Sequence, residues 1–410
     1  MARSTKERRL RVLFFDHTAL MSGGEIALLH LVEHLDKSAM EPVVLLGEEG
    51  PLARRFGSDV EVHVLALEGS VAETRKDALG SASLLRVGAV WGSARYVVKL
   101  ARFIRRRGID MVHTNSLKAD LLGGMAARLA RVPVIWHVRD RIASDYLPKK
   151  VVSAFLWLSG VLPTVMIANS HATAATLKRR GGRQTPVYVV HDGTPMRSFR
   201  YGARPQAGLV GIVGRISPWK GQDVFLRAAS RIRKSYPEAR FRVIGSALFA
   251  EVEFEASLHE LTDELGLRDV VEFRGFQEDV PSEIAQMAVF VHASTKPEPF
   301  GQVIIEAMAA GVPVVATLGG GVAEIVEDGV TGLLVGSRDP EALAAAVCRL
   351  LRDPAQAGEM AERGREAVKE RFLVERTARE VERVMEAVAE EHLGGAFRRP
   401  VGAVVRASDL

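Results

Sequence analysis

The chain has 410 residues, 47% of them hydrophobic and 26% charged, which predicts two or three ordinary globular domains. Its single cysteine, Cys348, excludes a disulfide framework and is typical of a protein in a reducing cytosol. The net charge of +5 is mild for this length. Because no known nucleic-acid-binding module is visible in the sequence, we expect no nucleic acid partner.

The N-terminal segment MARSTKERRL is basic, but the apolar run after it stops at Asp16, which is too short for a signal-peptide core. Residues 151–168 are nearly long enough to span a bilayer, yet Gly160 and Pro163 interrupt them. We interpret them as a core helix followed by a buried strand, and we expect a cytoplasmic protein. Residues 96–107 carry five cations and no anion, which favours either a solvated helix face or contact with anionic lipid or phosphate at the inner membrane surface.

Short apolar strands alternate with longer helical stretches, which predicts parallel sheets built from βαβ units. In the first half the predicted strands cover residues 11–16, 42–46, 60–67, 111–114, 133–138, 164–170 and 187–193. A second series starts afresh at 208–215 and continues with 241–245, 270–275, 289–294, 313–317 and 332–336. The polar stretch 193–208, rich in Gly, Pro and Arg, is the predicted linker. Residues 355–392 read as charged amphipathic helices.

Near the start, Gly23 and Gly24 lie where a strand turns into a helix, so the backbone there can approach a phosphate or sugar closely. The same helix contains HLVEH, residues 30–34, which matches the H-x-x-E-H pattern of inverted zinc peptidases. Helical spacing argues against zinc, because it turns these three polar residues towards solvent while the apolar face, Leu28, Leu31, Val32 and Leu35, packs inward.

Two further stretches carry candidate residues at the ends of strands. In GRISPWKG, residues 214–221, Arg215 and Lys220 stand close to a helix start, a fixed positive environment for a diphosphate, although two surface cations are the alternative. In PVIWHVRD, residues 133–140, His137 stands at the carboxyl end of a strand. It is either a buried structural histidine or a group that faces a ligand.

The most informative stretch is KPEPFGQVIIEAMAAGVPVVAT, residues 296–317. A Pro-Phe-Gly turn separates Glu298, in a predicted loop, from Glu306, about one turn inside a predicted helix from Gln302 to Ala310. Backbone N–H groups of the first helical turn point between the two carboxylates. Two acceptors beside a row of donors suit a ligand with hydroxyls at both ends and phosphate in the middle.

This stretch resembles the E-x7-E motif of retaining glycosyltransferases of family 4. Eight other landmarks of that family follow the chain in order: SGGE, WHVRD, IANS, VHDGT, GRISPWKG, VIGSA, RGFQEDV and GVAEIVEDGVTGLLV. The resemblance covers residues 10–390. It implies an α/β chain with the GT-B fold, two facing Rossmann-like domains with parallel sheets and a cleft between them. It places the acceptor domain at 1–195, the donor domain at 196–375 and a C-terminal helix at 376–393 that crosses back to the first domain. We expect a flexible tail at 394–410.

The resemblance also implies roles for particular residues in a transfer from a UDP- or GDP-linked sugar. Glu306 is expected to bind the ribose and Glu298 the donor sugar, with Arg215 and Lys220 on the diphosphate and His137 near the reacting carbon. The remaining predicted donor contacts are Gly23, Gly24, Gly214, Gly245, Phe276, Val280, Phe300, Gly301 and Gln302. The predicted acceptor contacts are Thr114, Asn115, Lys118, Arg139 and Asp140, within the candidate acceptor loops 69–92, 114–118 and 139–148.

Because Arg, Lys and a helix N-terminus can stabilise the departing diphosphate, we expect no bound metal and no cofactor beyond the donor itself. The expected acceptor is a glycan, glycolipid or lipid-linked hydroxyl, as in polysaccharide biosynthesis, although a soluble metabolite is equally compatible. Two alternatives remain: a nucleotide-sugar epimerase or hydrolase of the same fold, and a non-catalytic nucleotide-binding subunit. A phosphorylase or sucrose-synthase type enzyme shares the motif, but such chains are usually much longer.

Overall fold

A computed structural model describes residues 8–67, 87–178, 184–196, 205–247, 251–394 and 397. The chain divides into two compact units, the first formed by residues 1–192 together with 374–410, and the second by residues 193–373. Each unit contains one parallel sheet. The sheets consist of near-continuous Val, Ile, Leu and Phe runs, because strands of a parallel sheet are covered on both faces by helices.

The sheet of the first unit has seven strands in the order β3-β2-β1-β4-β5-β6-β7. They are β1 (Leu10–Asp16), β2 (Met40–Leu46), β3 (Glu61–Val64), β4 (Met111–Thr114), β5 (Val134–Val138), β6 (Val165–Ala168) and β7 (Val187–Val189). Its helices include α1 (Gly23–His34), α2 (Val87–Arg106), α3 (Leu117–Ala130), α4 (Lys149–Ser159) and α5 (His171–Thr176). On one side of the sheet, α2, α3 and α4 share a hydrophobic core with the strands.

The sheet of the second unit has six strands in the order β10-β9-β8-β11-β12-β13. They are β8 (Leu209–Val213), β9 (Arg240–Ile244), β10 (Val271–Gly275), β11 (Val289–His292), β12 (Val314–Thr317) and β13 (Leu333–Val335). The helices are α6 (Gln222–Ser235), α7 (Val252–Glu264), α8 (Val280–Ile284), α9 (Gln302–Ala309), α10 (Val322–Ile325), α11 (Pro340–Arg352) and α12 (Pro354–Arg371).

The last helix, α13 (Val374–His392), belongs to the first unit. Its apolar stripe, which includes Val381 and Met385, packs in one core with α1 and with strands β1 and β2. The first unit ends at Asp192 and resumes at Val374, a few residues before the predicted boundaries. The predicted cleft between the domains stays a prediction.

Several predicted segments lie partly or wholly outside the described residues. These are the basic residues 1–7, most of the candidate acceptor loop 69–92, the linker residues 197–204, and the tail apart from Gly394 and Phe397. Among the described residues, no helix is both long enough and apolar enough to cross a membrane.

Residues 151–168 do contain a helix and then a buried strand, α4 and β6. The prediction of a core helix holds for one face of α4, since Phe155 lies in the hydrophobic core of the first unit. Only Phe155 and Ser159 of α4 are buried, and the Trp157 side chain is 61% exposed. The helix covers the sheet with one face only. Because the sequence of α4 is apolar on both faces, it does not show which face packs against the sheet.

Candidate active site

The second unit gathers most of the predicted donor residues at the carboxyl ends of its strands. Gly214, Arg215 and Lys220 follow β8, Gly245 follows β9, and Glu298 follows β11. The carboxyl ends of parallel strands share one edge of a sheet, which is the usual ligand position in such folds. Two of the loops fit together only because of glycine: a Cβ on Gly245, whose φ is +129°, would lie 2.0 Å from the Gly214 carbonyl oxygen.

The Glu298 carboxylate is buried and held through one oxygen. Its Oε1 accepts hydrogen bonds from Lys220 Nζ at 2.7 Å, from Ser294 Oγ at 2.5 Å and from His292 Nε2 at 3.1 Å. Burial by itself would raise the pKa of Glu298, but the charge of Lys220 and the contact with His292 outweigh it and hold the pKa well below the usual range. The carboxylate is therefore ionised at neutral pH, and Oε2 is free of hydrogen bonds from the described residues.

Lys220 links this carboxylate to the loop after β8. Its ammonium group bonds Glu298 and lies 4.2 Å from the centre of the Trp219 ring. An ammonium group has three N–H donors, so donors remain for a second anion. Gly221, with φ at +73°, brings this loop against β11, since a Cβ there would lie 2.0 Å from the Ala293 carbonyl oxygen. The pairing of Lys220 with Glu298 could not be read from the sequence.

Arg215 lies on the same loop and is one-third exposed. Its Nε is 3.8 Å from Glu251 Oε2, a distance at which the attraction is weak in water. Arg215 therefore has guanidinium donors available to an anion, in agreement with the predicted diphosphate contact, which stays a prediction.

Helix α9 begins at Gln302 and places Glu306 one turn in, as predicted. Glu306 is only partly exposed, and burial raises its pKa to about 7, with a smaller opposing effect from Gln302. The Gln302 Nε2 donates to the Gly193 carbonyl at 3.3 Å, while its Oε1 is buried without a hydrogen-bond partner among the described residues. Helix α9 thus presents an unsatisfied acceptor beside a carboxyl group that titrates near neutrality.

The other predicted donor contacts differ in exposure. The Phe276 side chain is 55% exposed, and Val280 is half-buried at the start of α8. Phe300 is buried, with its ring centre 5.8 Å from that of Phe372, so only its backbone can serve a ligand. Gly301 has φ at +127° and precedes the first residue of α9. These positions fit the predicted base and sugar contacts without testing them.

In the first unit, His137 is fully buried at the end of β5. Its Nδ1 lies 3.2 Å from His113 Nε2, and its Nε2 has no hydrogen-bond partner among the described residues. Burial, the positive charge of Arg139 and the neighbouring His113 hold the pKa of His137 well below its usual value, so the ring is neutral. A buried ring nitrogen without a partner is costly, and a sugar hydroxyl at this position would satisfy it.

A buried polar network surrounds this histidine and uses three of the strand ends. Arg139 Nε donates to Asn115 Oδ1 at 2.8 Å, and Arg139 Nη1 donates to Asp192. Asn115 in turn donates to Asp16 Oδ2 at 2.7 Å and to the Gly24 carbonyl at 3.0 Å. The network therefore ties the glycine pair at the start of α1 to β1, β4 and β5.

Thr114 and Asn115 already bond within the first unit, and their predicted acceptor contacts stay predictions. Thr114 is fully buried and its hydroxyl bonds within the unit, while both polar atoms of the Asn115 amide are occupied. Arg139 is buried in the same network. Lys118 and Asp140 are half-buried and stay predicted acceptor contacts. Burial lowers the pKa of Lys118, so its ammonium group loses a proton at a lower pH than that of an exposed lysine.

Gly23 and Gly24 are not explained by the packing of the chain. Neither has positive φ, a Cβ on Gly23 would meet no atom within 4 Å, and one on Gly24 would meet atoms only at 3.8 Å or more. The chain itself thus gives no reason for glycine at either position, which fits the predicted close approach of a ligand. Glu25, the next residue, is buried against Ser22, and burial raises its pKa to about 7.

Sequence reasoning gave no role to Asp16, Asp192, Asn169, His113 or His292. A signal was present, since Asp16 and His292 are the last residues of buried strands and Asn169 directly follows one. Polar residues at the carboxyl ends of otherwise apolar strands mark the ligand edge of the sheet. In the H-x-x-E-H segment of α1, His34 Nδ1 lies 2.8 Å from the His30 carbonyl oxygen, a contact within the helix itself.

Comparison with known proteins agrees with this geometry. Residues 21–197 match the family described as Glycosyltransferase Family 4, and residues 197–369 match the one described as Glycosyl transferases group 1. A D-inositol 3-phosphate glycosyltransferase of Kribbella flavida is 33% identical over 287 residues, which cover 64% of this chain and 67% of that protein. The chain belongs to glycosyltransferase family 4.

This family 4 protein is also similar to a second curated relative and to a solved structure. It is 34% identical over 260 residues to the D-inositol 3-phosphate glycosyltransferase of Corynebacterium urealyticum, covering 58% of this chain and 60% of that relative, which is less than two thirds of its length. A crystal structure of Anabaena HepE in complex with UDP and glucose superposes with a TM-score of 0.79 at 26% identity, over 92% of this chain and all of HepE. The predicted α/β, GT-B fold class is confirmed.

Proposed function

We propose that this family 4 protein transfers a sugar from a nucleotide-diphosphate sugar to a hydroxyl of an acceptor, with retention of the anomeric configuration. The observation that carries the proposal is the environment of Glu298. Its carboxylate is ionised, with Oε1 held by three donors and Oε2 left to accept a hydrogen bond from a sugar hydroxyl. A carboxylate whose pKa is held this low is a weak base and a weak nucleophile, and it serves as an acceptor for hydroxyls.

The diphosphate has a matching set of donors. Arg215, the remaining N–H groups of Lys220 and the first-turn N–H groups of α9 all follow strand ends of the second unit. Positive groups that are already in place stabilise the leaving diphosphate without reorganising, which is usually the largest contribution to such catalysis. For this reason we also propose that the reaction needs no metal ion.

Glu306 and Phe276 suit the nucleoside. A carboxylate accepts hydrogen bonds from both hydroxyls of a ribose, and Glu306 is the carboxyl group inside α9. The exposed Phe276 ring and the half-buried Val280 side chain offer apolar groups for the base. HepE was solved with UDP-glucose as well as with UDP and glucose, which supports a uridine nucleotide as the first donor to try.

In the proposed reaction the bond between the anomeric carbon and the diphosphate oxygen breaks, and a bond from the acceptor oxygen to that carbon forms on the same face. The acceptor proton passes to the leaving phosphate, so no protein base is consumed. In the first unit, the neutral His137 is the proposed contact to the transferred sugar through its unpartnered Nε2. Gly23 and Gly24 are proposed to let the backbone approach the donor.

The acceptor is proposed to be a polyol or glycan hydroxyl, on a molecule that is phosphorylated or linked to a lipid. The relatives from Kribbella and Corynebacterium carry the name D-inositol 3-phosphate glycosyltransferase, which supports a phosphorylated acceptor. Among the predicted acceptor contacts, Lys118 is the half-buried cation that could pair with such a phosphate.

The decisive experiment is thermal unfolding with UDP, GDP, ADP or CDP in the presence of EDTA. A nucleotide at about a hundred times its dissociation constant adds roughly 2.7 kcal/mol to the free energy of unfolding. We expect one nucleotide to stabilise the wild type and the control variant Glu327→Ala, which changes an exposed glutamate of the same unit, but not Glu306→Ala. If no nucleotide stabilises the wild type, the proposal is wrong.

Turnover then separates transfer from the alternatives. With the donor that binds, NMR of the product shows whether a new glycosidic bond with retained configuration forms on inositol phosphate or on a lipid-linked acceptor. Release of free sugar or an epimerised donor without any acceptor would instead identify a hydrolase or an epimerase. Nucleotide binding without turnover on any acceptor tested would favour the non-catalytic subunit.

A further inference from the structure

Among the described residues of the first unit, four large apolar side chains are exposed on three neighbouring helices, and a fifth directly follows the last of these helices. They are Val98 on α2, Met125 and Leu129 on α3, and Trp157 and Val161 on and just after α4. We call the outer surface of α2, α3 and α4, with residue Val161, the three-helix face. Trp157 and Val161 are 61% and 53% exposed, although residues of these types are usually covered.

Hydrogen bonds join the segments that carry these exposed side chains. Arg105 on α2 donates to the Leu129 carbonyl on α3. Arg128, beside Leu129, donates to the Val161 carbonyl at 2.9 Å. Trp157 stands one helical turn before Val161 and therefore on the same side of the chain. The exposed side chains thus lie on helices that are joined to one another and share one hydrophobic core.

The charge on the three-helix face has one sign. Helices α2, α3 and α4 contain nine lysines and arginines and a single acid. That acid, Asp120, is 1% exposed and lies at the N-terminal end of α3, so it does not reach the outer surface. Arg95, Arg102 and Arg106 are exposed on α2, and none of them makes an ion pair with a described residue. Lys150 stands two turns before Trp157 on the exposed side of α4.

We propose that the three-helix face is a docking surface for an anionic lipid bilayer. Cations that flank an exposed tryptophan with aliphatic neighbours match the charged headgroups and the apolar boundary beneath them. Aliphatic Val, Leu and Met side chains offer no stacking surface to nucleic acid bases. A protein partner would need acidic side chains arranged around an apolar patch. An anionic bilayer offers negative headgroups and an apolar interior across its whole surface.

The proposal extends beyond the transfer reaction and does not depend on it. None of the residues that carry it belongs to the proposed donor site in the second unit. Each basic residue near an anionic surface contributes about fivefold to partitioning, so several must act together, and the attraction weakens with salt. The apolar side chains would then supply the part of the binding that salt does not remove.

Vesicle co-sedimentation tests the proposal with the full chain. We expect binding to vesicles of phosphatidylcholine with phosphatidylglycerol, weak binding to phosphatidylcholine alone, and a fall in binding between 50 and 500 mM salt. Arg102→Glu with Arg106→Glu should lower the partition coefficient at least tenfold. The matched control, Arg227→Glu with Lys234→Glu, makes the same charge change on the exposed side of α6 in the second unit.

A second pair of variants tests the apolar part. Trp157→Ser with Val161→Ser should reduce binding that persists at high salt, while Val252→Ser, at a residue 64% exposed on α7, should leave it unchanged. Circular dichroism of each variant shows whether it is folded. Lipids with brominated acyl chains should quench tryptophan fluorescence of the wild type. Trp157→Phe should bind vesicles normally and lose that quenching.

The proposal fails if the wild type does not bind anionic vesicles at low salt, or if the α2 and α6 variants lose binding equally. It also fails if sedimentation in solution shows a dimer that Trp157→Ser dissociates, since a second copy would then cover this face. Because inositol phosphate transfer can be measured without vesicles, loss of membrane binding with intact transfer would leave the proposed function standing.

Discussion

At the scale of single residues, the two glutamates of the E-x7-E motif differ in their electrostatic environment. Glu298 lies 2.7 Å from the Lys220 ammonium group and stays ionised. Glu306 has no cationic partner among the described residues, and burial raises its pKa to about 7. The same residue type, separated by seven positions on one loop and helix, thus gives one fixed anion and one group that can change its charge.

Nucleotide binding should depend on the charge of Glu306. Because an ionised carboxylate accepts hydrogen bonds from ribose hydroxyls, UDP should bind more tightly as the pH rises from 6 to 7.5, and the affinity should level off above that. Isothermal titration calorimetry across this range should compare UDP binding to the wild type and to Glu306→Gln. Titration of the UDP phosphates affects both measurements equally, so the difference between them reports the ionisation of Glu306. An equal pH dependence in the two proteins would contradict the assignment.

The ion pair of Glu298 should stabilise the fold as well as the site. Glu298→Gln leaves a largely buried Lys220 ammonium group without its partner, so we expect a loss of about 3 kcal/mol in the free energy of unfolding. Glu272→Gln removes a half-exposed carboxylate from Arg242 and Arg274, which both keep a second partner in Glu283, and should cost less than about 1 kcal/mol. Urea denaturation of both variants measures the difference.

The pKa of Glu298 fixes the sign of its effect on acid stability. The pKa is lowered in the folded state, so its contribution is present above the unfolded value and is lost as the pH falls through the folded value. Below the normal range of glutamate, the wild type should therefore lose more stability than Glu298→Gln. If the wild type and Glu298→Gln lose stability equally as the pH falls, then the pKa of Glu298 is not lowered in the folded state.

At the scale of elements, a glycine loop after β12 supports the loop that carries Glu298. Gly320 has φ at +66°, and its backbone pairs with Glu298. A Cβ at Gly320 would lie 1.9 Å from the Glu298 carbonyl oxygen. The sequence shows three consecutive glycines here. The structure gives the reason, because the backbone of the loop between β11 and α9 packs directly against them.

Gly320→Ala should therefore disturb the donor site, whereas Gly329→Ala should not. Gly329 also has positive φ, at +75°, but a Cβ there would meet no atom within 4 Å. Both variants carry the backbone cost of about 1 kcal/mol, and only Gly320→Ala adds a steric clash with backbone. Thermal unfolding with and without UDP should show greater destabilisation and weaker nucleotide binding for Gly320→Ala alone.

At the scale of the whole molecule, the chain returns to its first unit after completing the second. Helix α13 packs Val381, Met385 and Val388 into a core formed with α1, β1 and β2. Glu382 adds a polar tie, because its Oε1 accepts from the Asp36 backbone N–H at 2.5 Å. The stability of the first unit thus depends on residues near the far end of the sequence.

Met385→Ala should lower the free energy of unfolding by about 2–5 kcal/mol, because the side chain is fully buried. Arg379→Ala, at an exposed position of the same helix, should cost less than about 0.5 kcal/mol. Hydrogen exchange should increase in residues 10–46 of Met385→Ala more than in residues 209–317. The reverse pattern would contradict the placement of α13 in the first unit.

The order of strands and helices could be read from the sequence, because buried parallel strands and amphipathic helices have different apolar periods. The ends of strands were less accurate. The seventh strand was predicted to reach Gly193, yet β7 ends at Val189, and Asp192 beyond it pairs with Arg139. A run of apolar residues does not reveal where pairing stops.

By itself the sequence determined the two α/β units, the strand ends that carry polar residues, and the loop-then-helix placement of Glu298 and Glu306. Only the tertiary structure decided which of these side chains already form hydrogen bonds or ion pairs within the protein. Thr114 and Asn115 bond inward, Trp157 faces outward, and Lys220 meets Glu298 across 78 positions of the chain. The physical reason is that backbone preference acts between near neighbours, whereas burial, ion pairing and pKa depend on residues that folding alone brings together.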